Sequence, residues 1–91
     1  MTNPYLKMIA DHYGKNHQLL KFAEECGELQ TAIARYILNP TEENYRNLVE
    51  EIADVQIMCA QNVYLLDADD EATSIRAMKL DRQLKRMENE R

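Results

Sequence analysis

Pro40 is the one proline in the interior of this 91-residue chain, and it follows Asn39 between two long stretches whose apolar residues recur at helical spacing. A proline lacks the main-chain donor and clashes with the preceding turn, so one helix must end before it and another begin after it. Upstream, from about Asn16, the residues Leu19, Phe22, Cys26, Leu29, Ile33 and Tyr36 advance in alternating steps of three and four, which marks one apolar stripe. Downstream, Thr41 is a good N-cap, and Glu42 and Glu43 suit the positive end of a helix dipole. Leu48, Ile52, Val55, Cys59, Val63 and Leu66 then form a second stripe, while Ala53, Ile57, Ala60 and Tyr64 populate the opposite side. Burial nearly all round is therefore expected for that helix. Two helices joined by so short a turn should fold back on each other as an antiparallel hairpin.

Shorter helices are expected on either side. Asn3-Pro4 is a cap followed by a first-turn proline, with Leu6, Ile9, Ala10 and Tyr13 at helical spacing until Gly14. Asp67-Ala68-Asp69-Asp70 breaks the pattern again, after which Ala77, Leu80, Leu84 and Met87 form the stripe of a fourth helix. With only two glycines and two prolines, the expected fold is all-α: a four-helix bundle around a central helical hairpin, one domain over residues 1–91. A chain this short buries only about 60 to 68% of its unfolded surface, and the third helix carries more apolar surface than one small bundle can cover, so a homodimer or homotetramer is expected.

The charge balance narrows the partners. A net charge of −5 disfavours nucleic acid and anionic membrane surfaces, both of which would be repelled. No apolar h-region opens the chain and no apolar run of membrane-spanning length occurs, which reads as a cytoplasmic protein. Cys26 and Cys59 lack CxxC spacing and are expected to be buried, reduced thiols.

The acidic residues carry the strongest signal. Glu24-Glu25-Cys26-Gly27-Glu28-Leu29-Gln30 and Glu50-Glu51-Ile52-Ala53-Asp54-Val55-Gln56 match at a constant offset of 26 residues in acidic, apolar and amide positions alike. At about 100° per residue, Glu25 and Glu28 share one shoulder of the apolar stripe, and Glu51 and Asp54 share the equivalent shoulder of the next helix. In a hairpin turning at Asn39-Pro40, residues whose numbers total about 79 lie at equal height, which pairs Glu25 with Asp54 and Glu28 with Glu51. Four carboxylates converging in this way repel one another unless a cation lies between them. Oxygen-only ligation selects a hard ion, Mg²⁺ with Mn²⁺ as a substitute. The blander alternative is a solvated acidic face neutralised by neighbours such as Lys21, one turn before Glu25.

With these residues in place, the chain resembles the MazG-like, all-α nucleoside triphosphate pyrophosphohydrolases. Their signature is EExxE followed at a distance by ExxD, here Glu24-Glu25-x-x-Glu28 and Glu51-x-x-Asp54. The helix order and the Asn16-His17-Gln18-Leu19 lead-in are similar to short, often phage-borne members. The resemblance implies Mg²⁺-dependent hydrolysis of a (d)NTP between its α- and β-phosphates, giving a (d)NMP and pyrophosphate. It implies Glu25, Glu28, Glu51 and Asp54 as metal ligands, with Glu25 or Glu28 as the catalytic carboxylate that orients or deprotonates the attacking water.

Phosphate charge needs cations, and Lys79, Arg82 and Arg86 share one face of the fourth helix, with Lys21 also expected to bind substrate; Lys79-Leu80-x-Arg82 is similar to the K-[FL]-x-R end of the family's last helix. Ala77 departs from the Asn that often stands two residues before that lysine. The hairpin register also sets Gln61 and Asn62 opposite His17 and Gln18, a polar end at which Gln18 and Asn62 are expected to read a base. The competing expectation from another class is a non-enzymatic helical interaction or regulatory module that keeps a metal-stabilised acidic cluster without turnover.

Overall fold

A computed structural model describes residues 3–90. They form four helices, α1 (Pro4–Tyr13), α2 (Lys15–Leu38), α3 (Glu42–Leu65) and α4 (Asp69–Asn89), and no strand. The fold is all-α. No helix among the described residues is long and apolar enough to cross a membrane.

The expected stops are set by local chemistry. Asn3 accepts from the Tyr5 N–H at 2.9 Å and so caps α1, whose first residue is Pro4. Gly14 ends α1 and starts α2 at φ 87° and ψ 170°, a backbone region open essentially to glycine alone. Its N–H donates to the Ala10 carbonyl, and its own carbonyl accepts from the Gln18 N–H. The Thr41 hydroxyl accepts from the Asn44 N–H at 3.1 Å, and the Asn44 side chain donates back to the Asn39 carbonyl, which fixes the hairpin turn. After α3, Asp67 takes φ 53°, with Asp67 N–H donating to the Tyr64 carbonyl and Ala68 N–H to the Val63 carbonyl. That pair of bonds is a Schellman motif with aspartate in the position usually held by glycine. The break is thus shorter than expected: Asp69, Asp70 and Glu71 already lie in the first turn of α4, where their charges complement the positive end of the helix dipole.

α2 and α3 pack as the expected antiparallel hairpin, and the register is the one read from the sequence. The Gln18 amide nitrogen donates to Gln61 Oε1 at 2.7 Å across the two helices. Asn62 Nδ2 donates to the carbonyls of Gln18 (3.1 Å) and Met58 (2.8 Å). α1 lies against both helices, with Ala10 fully buried at the contact. Tyr64 of α3 donates its hydroxyl to the Asp11 carboxylate, and Lys7 sits 5.4 Å from the centre of the same ring.

The buried centre is small and largely polar. Ala10, Ala32 and Met58 are its apolar members, while Gln18, Glu25, Gln61 and Asn62 are equally enclosed. On α2 the buried line is Gln18, Glu25 and Ala32, seven residues apart, and the expected apolar stripe lies beside it, half-buried, with Leu19 and Ile33 exposed. Burial all round α3 is not found: Val49, Ile52, Ile57 and Cys59 are exposed. Cys26 is half-buried, so only part of the expectation of buried thiols holds; both are free.

The reason lies in α4, which meets α3 and no other helix. Leu80, Leu84 and Met87, expected to face the core, are each more than half exposed. The chain exposes 7500 Å², where a compact monomer of its mass would expose about 5500 Å². Its radius of gyration is 16.1 Å, against about 12 Å for a compact domain of this length.

Because both partners are buried, replacing one amide should cost more than replacing both. Gln61→Leu leaves the Gln18 donor without an acceptor and should lower the unfolding free energy in urea by about 2 kcal/mol. The double variant Gln18→Leu/Gln61→Leu should recover part of that loss.

Candidate metal centre

One helical turn separates Glu25 from Glu28 on α2, and the hairpin register brings Glu51 of α3 across from them. One carboxylate oxygen from each of the three lies within 4.8 Å of the other two. Three oxygens within that separation sit at most about 2.8 Å from a common centre, close to the roughly 2.0 to 2.6 Å at which hard divalent cations bind oxygen. Glu25 is only 7% exposed. Its Oε1 meets Lys21 Nζ at 3.3 Å, while its Oε2 is buried without a hydrogen-bond partner, as is Glu51 Oε2. A buried carboxylate oxygen without a donor is costly. An all-oxygen donor set with two orphaned lone-pair surfaces could therefore hold a hard divalent cation.

The electrostatics agree with an uncompensated cluster. The Glu51 carboxyl is held above its ordinary pKa, first by loss of water around it and then by the charges of Glu28, Asp54 and Glu25 and a hydrogen bond with Glu28. The Lys21 ammonium is held above its ordinary value by its hydrogen bond to Glu25 and that residue's charge, with Glu24 and Glu28 adding to it.

Two grooves meet at the carboxylates. An inner groove of about 330 Å³ runs beside α1 and is lined by Ile9, Tyr13, Ile57 and Met58 with Gln18, Gln61, Lys21, Glu25 and Asp54. An outer groove of about 430 Å³ runs toward the hairpin turn and is lined by Glu24, Gly27, Glu28, Thr31, Ala32 and Arg35 of α2 with Asn47 and Glu51 of α3. On α2 the inner groove uses positions 18 to 25 and the outer one 24 to 35; on α3 they use 54 to 61 and 47 to 51. The two lie end to end along one seam of the hairpin, with the acidic cluster at their junction.

The structure thus unites three of the four expected ligands. Asp54 stands outside the trio: it is exposed and, about 60° around α3 from Glu51, lines the inner groove with Glu25. Lys21, expected on the substrate phosphates, is paired with Glu25 at 3.3 Å, the neutralising contact that the blander alternative foresees. Gln18 lines the inner groove, but its amide is engaged by Gln61 and by His17, whose Nδ1–H donates to Gln18 Oε1 at 2.7 Å. Asn62, 2% exposed, spends both amide hydrogens on main-chain carbonyls and fastens the hairpin instead of lining the groove. Lys79 and Arg82 lie with Ile75 and Met78 along a shallow groove on α4, and Arg86 is exposed on the same helix, none of them brought to the acids by their own chain.

Sequence reasoning missed Tyr13, which stacks on His17 at 4.6 Å between ring centroids, and it missed Arg35 and Asn47. A signal for the last two was available: Arg35 follows Glu28 by seven residues and Asn47 precedes Glu51 by four, so both share the ligands' faces. Comparison of the chain with protein-family models, with characterised proteins and with solved structures found no match.

A raised Glu51 pKa means that the folded state binds this proton more tightly than the unfolded chain does. The associated cost is absent well below about pH 4 and is fully present once the pH has risen through the raised value. In metal-free buffer at pH 7, Glu51→Gln should therefore melt at a higher temperature than the wild type, with the two converging in acid. A lower melting temperature for the variant at pH 7 would contradict the clustered-carboxylate account.

Proposed function

We propose that the protein is a Mg²⁺-dependent hydrolase that converts a (d)NTP to a (d)NMP and pyrophosphate, in the manner of the MazG-like enzymes its EExxE and ExxD motifs resemble. The observation that carries this reading is the position of the carboxylate trio, with its orphaned oxygens, at the junction of an apolar, aromatic groove and a polar one. A nucleoside triphosphate has a comparable order of parts: a flat base and its sugar, then a chain of charged phosphates.

Glu25, Glu28 and Glu51 would hold the ion. Bound there, Mg²⁺ would neutralise phosphate charge and favour attack by water. Glu28, exposed and lining the outer groove, would orient the water and accept its proton. The water oxygen bonds to the α-phosphorus, the bond to the α–β bridging oxygen breaks, and its electron pair leaves on pyrophosphate. Glu25, fixed by Lys21, holds the inner side of the site. Tyr13, Ile9, Ile57 and Met58 offer the base an apolar wall, with the Gln18–Gln61 amides at its end.

The same reading includes a homo-oligomer. The roughly 2000 Å² of surface beyond the compact-monomer expectation and the uncovered apolar stripe of α4 support it, and α4 of a second copy is the route by which Lys79 and Arg82 would reach substrate phosphates. Light scattering after size exclusion should return a dimer or tetramer at micromolar concentration; a stable monomer would remove this part. The exposed α4 also favours the second reading, a non-enzymatic interaction module. A panel of (d)NTPs with and without Mg²⁺ separates the two. Pyrophosphate release should require Mg²⁺ and fall at least about 100-fold in Glu28→Gln, whereas absence of release from every member of the panel would favour the module.

A further inference from the structure

The cations named so far leave one polar surface without a role. Arg35 lines the outer groove together with Glu24, Glu28 and Glu51, yet it pairs with none of them. The ion pairs among the described residues are Lys21–Glu25, Arg46–Glu42 and Lys85–Asp81. Its position explains why. Arg35 stands seven residues beyond Glu28, about 10 Å along the helix and nearly on the same face. Side chains on a helix lean toward its N-terminus, which inclines Arg35 toward the carboxylates, and at this separation it forms no ion pair with them. Asn47, from α3, enters the same stretch of groove.

We infer that Arg35, with Asn47, is the docking point for the two terminal phosphates of the substrate, the part that departs as pyrophosphate; this rests on the hydrolase reading above. Three observations select this end of the seam. The inner groove is walled by Ile9, Tyr13, Ile57 and Met58, and its one cation, Lys21, is committed to Glu25. The basic residues of α4 are held away from the acids within their own chain, because α4 meets only α3. Glu25, nine-tenths buried, keeps an Oε2 without a hydrogen-bond partner and belongs to the carboxylate trio where the two grooves meet, which puts the neutralising charge, and hence the α-phosphate, between them. The chain of phosphates then continues outward to the first free cation, which is Arg35.

The chemistry of the step fits a guanidinium there. When the bond between the α-phosphorus and the bridging oxygen breaks, the electron pair and its negative charge pass to pyrophosphate while the proton of the attacking water goes to Glu28. A planar fork of N–H donors matches two phosphate oxygens at once, and the Asn47 amide adds a neutral donor that tolerates the nearby glutamates. Arg35 therefore positions and stabilises the leaving group and leaves the nucleoside end untouched.

Calorimetric titration with inorganic pyrophosphate, and separately with each of the four deoxynucleoside monophosphates, all with Mg²⁺ present, tests the assignment on wild type, Arg35→Ala and Arg35→Lys. The expected result is at least about a tenfold loss of pyrophosphate affinity in Arg35→Ala, partial recovery in Arg35→Lys, and monophosphate affinity unchanged in both. Arg35 is exposed, so a thermal melt matching that of the wild type is expected to accompany this loss. Pyrophosphate affinity in Arg35→Ala within about twofold of a wild type that binds it would overturn the inference and leave the hydrolase reading standing, as would a parallel loss of monophosphate affinity. A wild type that binds neither probe would overturn both.

Discussion

The repulsion among Glu25, Glu28 and Glu51 is the constraint around which the rest of this molecule is arranged. Helical hairpins of this size normally place leucines and isoleucines along the seam. Here the most enclosed positions of α2 are Gln18, Glu25 and Ala32, and those of α3 are Met58, Gln61 and Asn62. A carboxylate and three amides contribute little by way of hydrophobic burial, and the two orphaned carboxylate oxygens oppose folding outright. The hairpin is held instead by directional bonds: Gln18 to Gln61, Asn62 to two carbonyls, and the Asp11–Tyr64 contact that fixes α1. Such bonds define register closely, and register is what brings Glu51 opposite Glu28.

A consequence is that stability and function are separable along the chain. The amide end of the seam holds the helices in alignment, the acidic middle would carry the proposed chemistry, and the outer end beyond Glu28 is open and polar. Apolar surface that a self-sufficient domain would bury remains on α3 and α4. It is distributed along helix faces, as the surface of an oligomer is, and is not gathered into one pit. The basic residues of α4 lie on the same uncovered helix, so assembly and phosphate binding are linked in this account.

Much of the architecture was legible in the sequence because it rests on local rules. Asn3-Pro4, Gly14, Asn39-Pro40 and Thr41 act through backbone chemistry that extends only a few residues, and each stops or starts a helix where expected. The register followed from the single short turn and predicted the Gln18–Gln61 pairing as well as the Glu28–Glu51 one. What the sequence did not disclose depends on tertiary context. Periodicity shows which face of α3 or α4 is apolar, but not whether another helix of the same chain covers it. Asp54 shares a shoulder with Glu51, yet 60° of rotation suffices to turn it into the neighbouring groove. Asp67 adopts a left-handed conformation that glycine usually signals, so the turn before α4 looked longer than it is. Arg35 and Asn47 were visible at helical spacing from the acids, but a charged residue on an exposed face carries little information until a groove is seen beside it.

The proposed place of a hard divalent cation in the hairpin seam is between Glu25, Glu28 and Glu51. Mn²⁺ titrated into the protein and followed by electron paramagnetic resonance of the free ion measures this directly, without substrate or turnover. The account predicts saturable, stoichiometric uptake of Mn²⁺ that Mg²⁺ competes away and that Glu25→Gln abolishes in a protein that remains helical. Weak, unsaturable uptake, equal in wild type and variant, would contradict it.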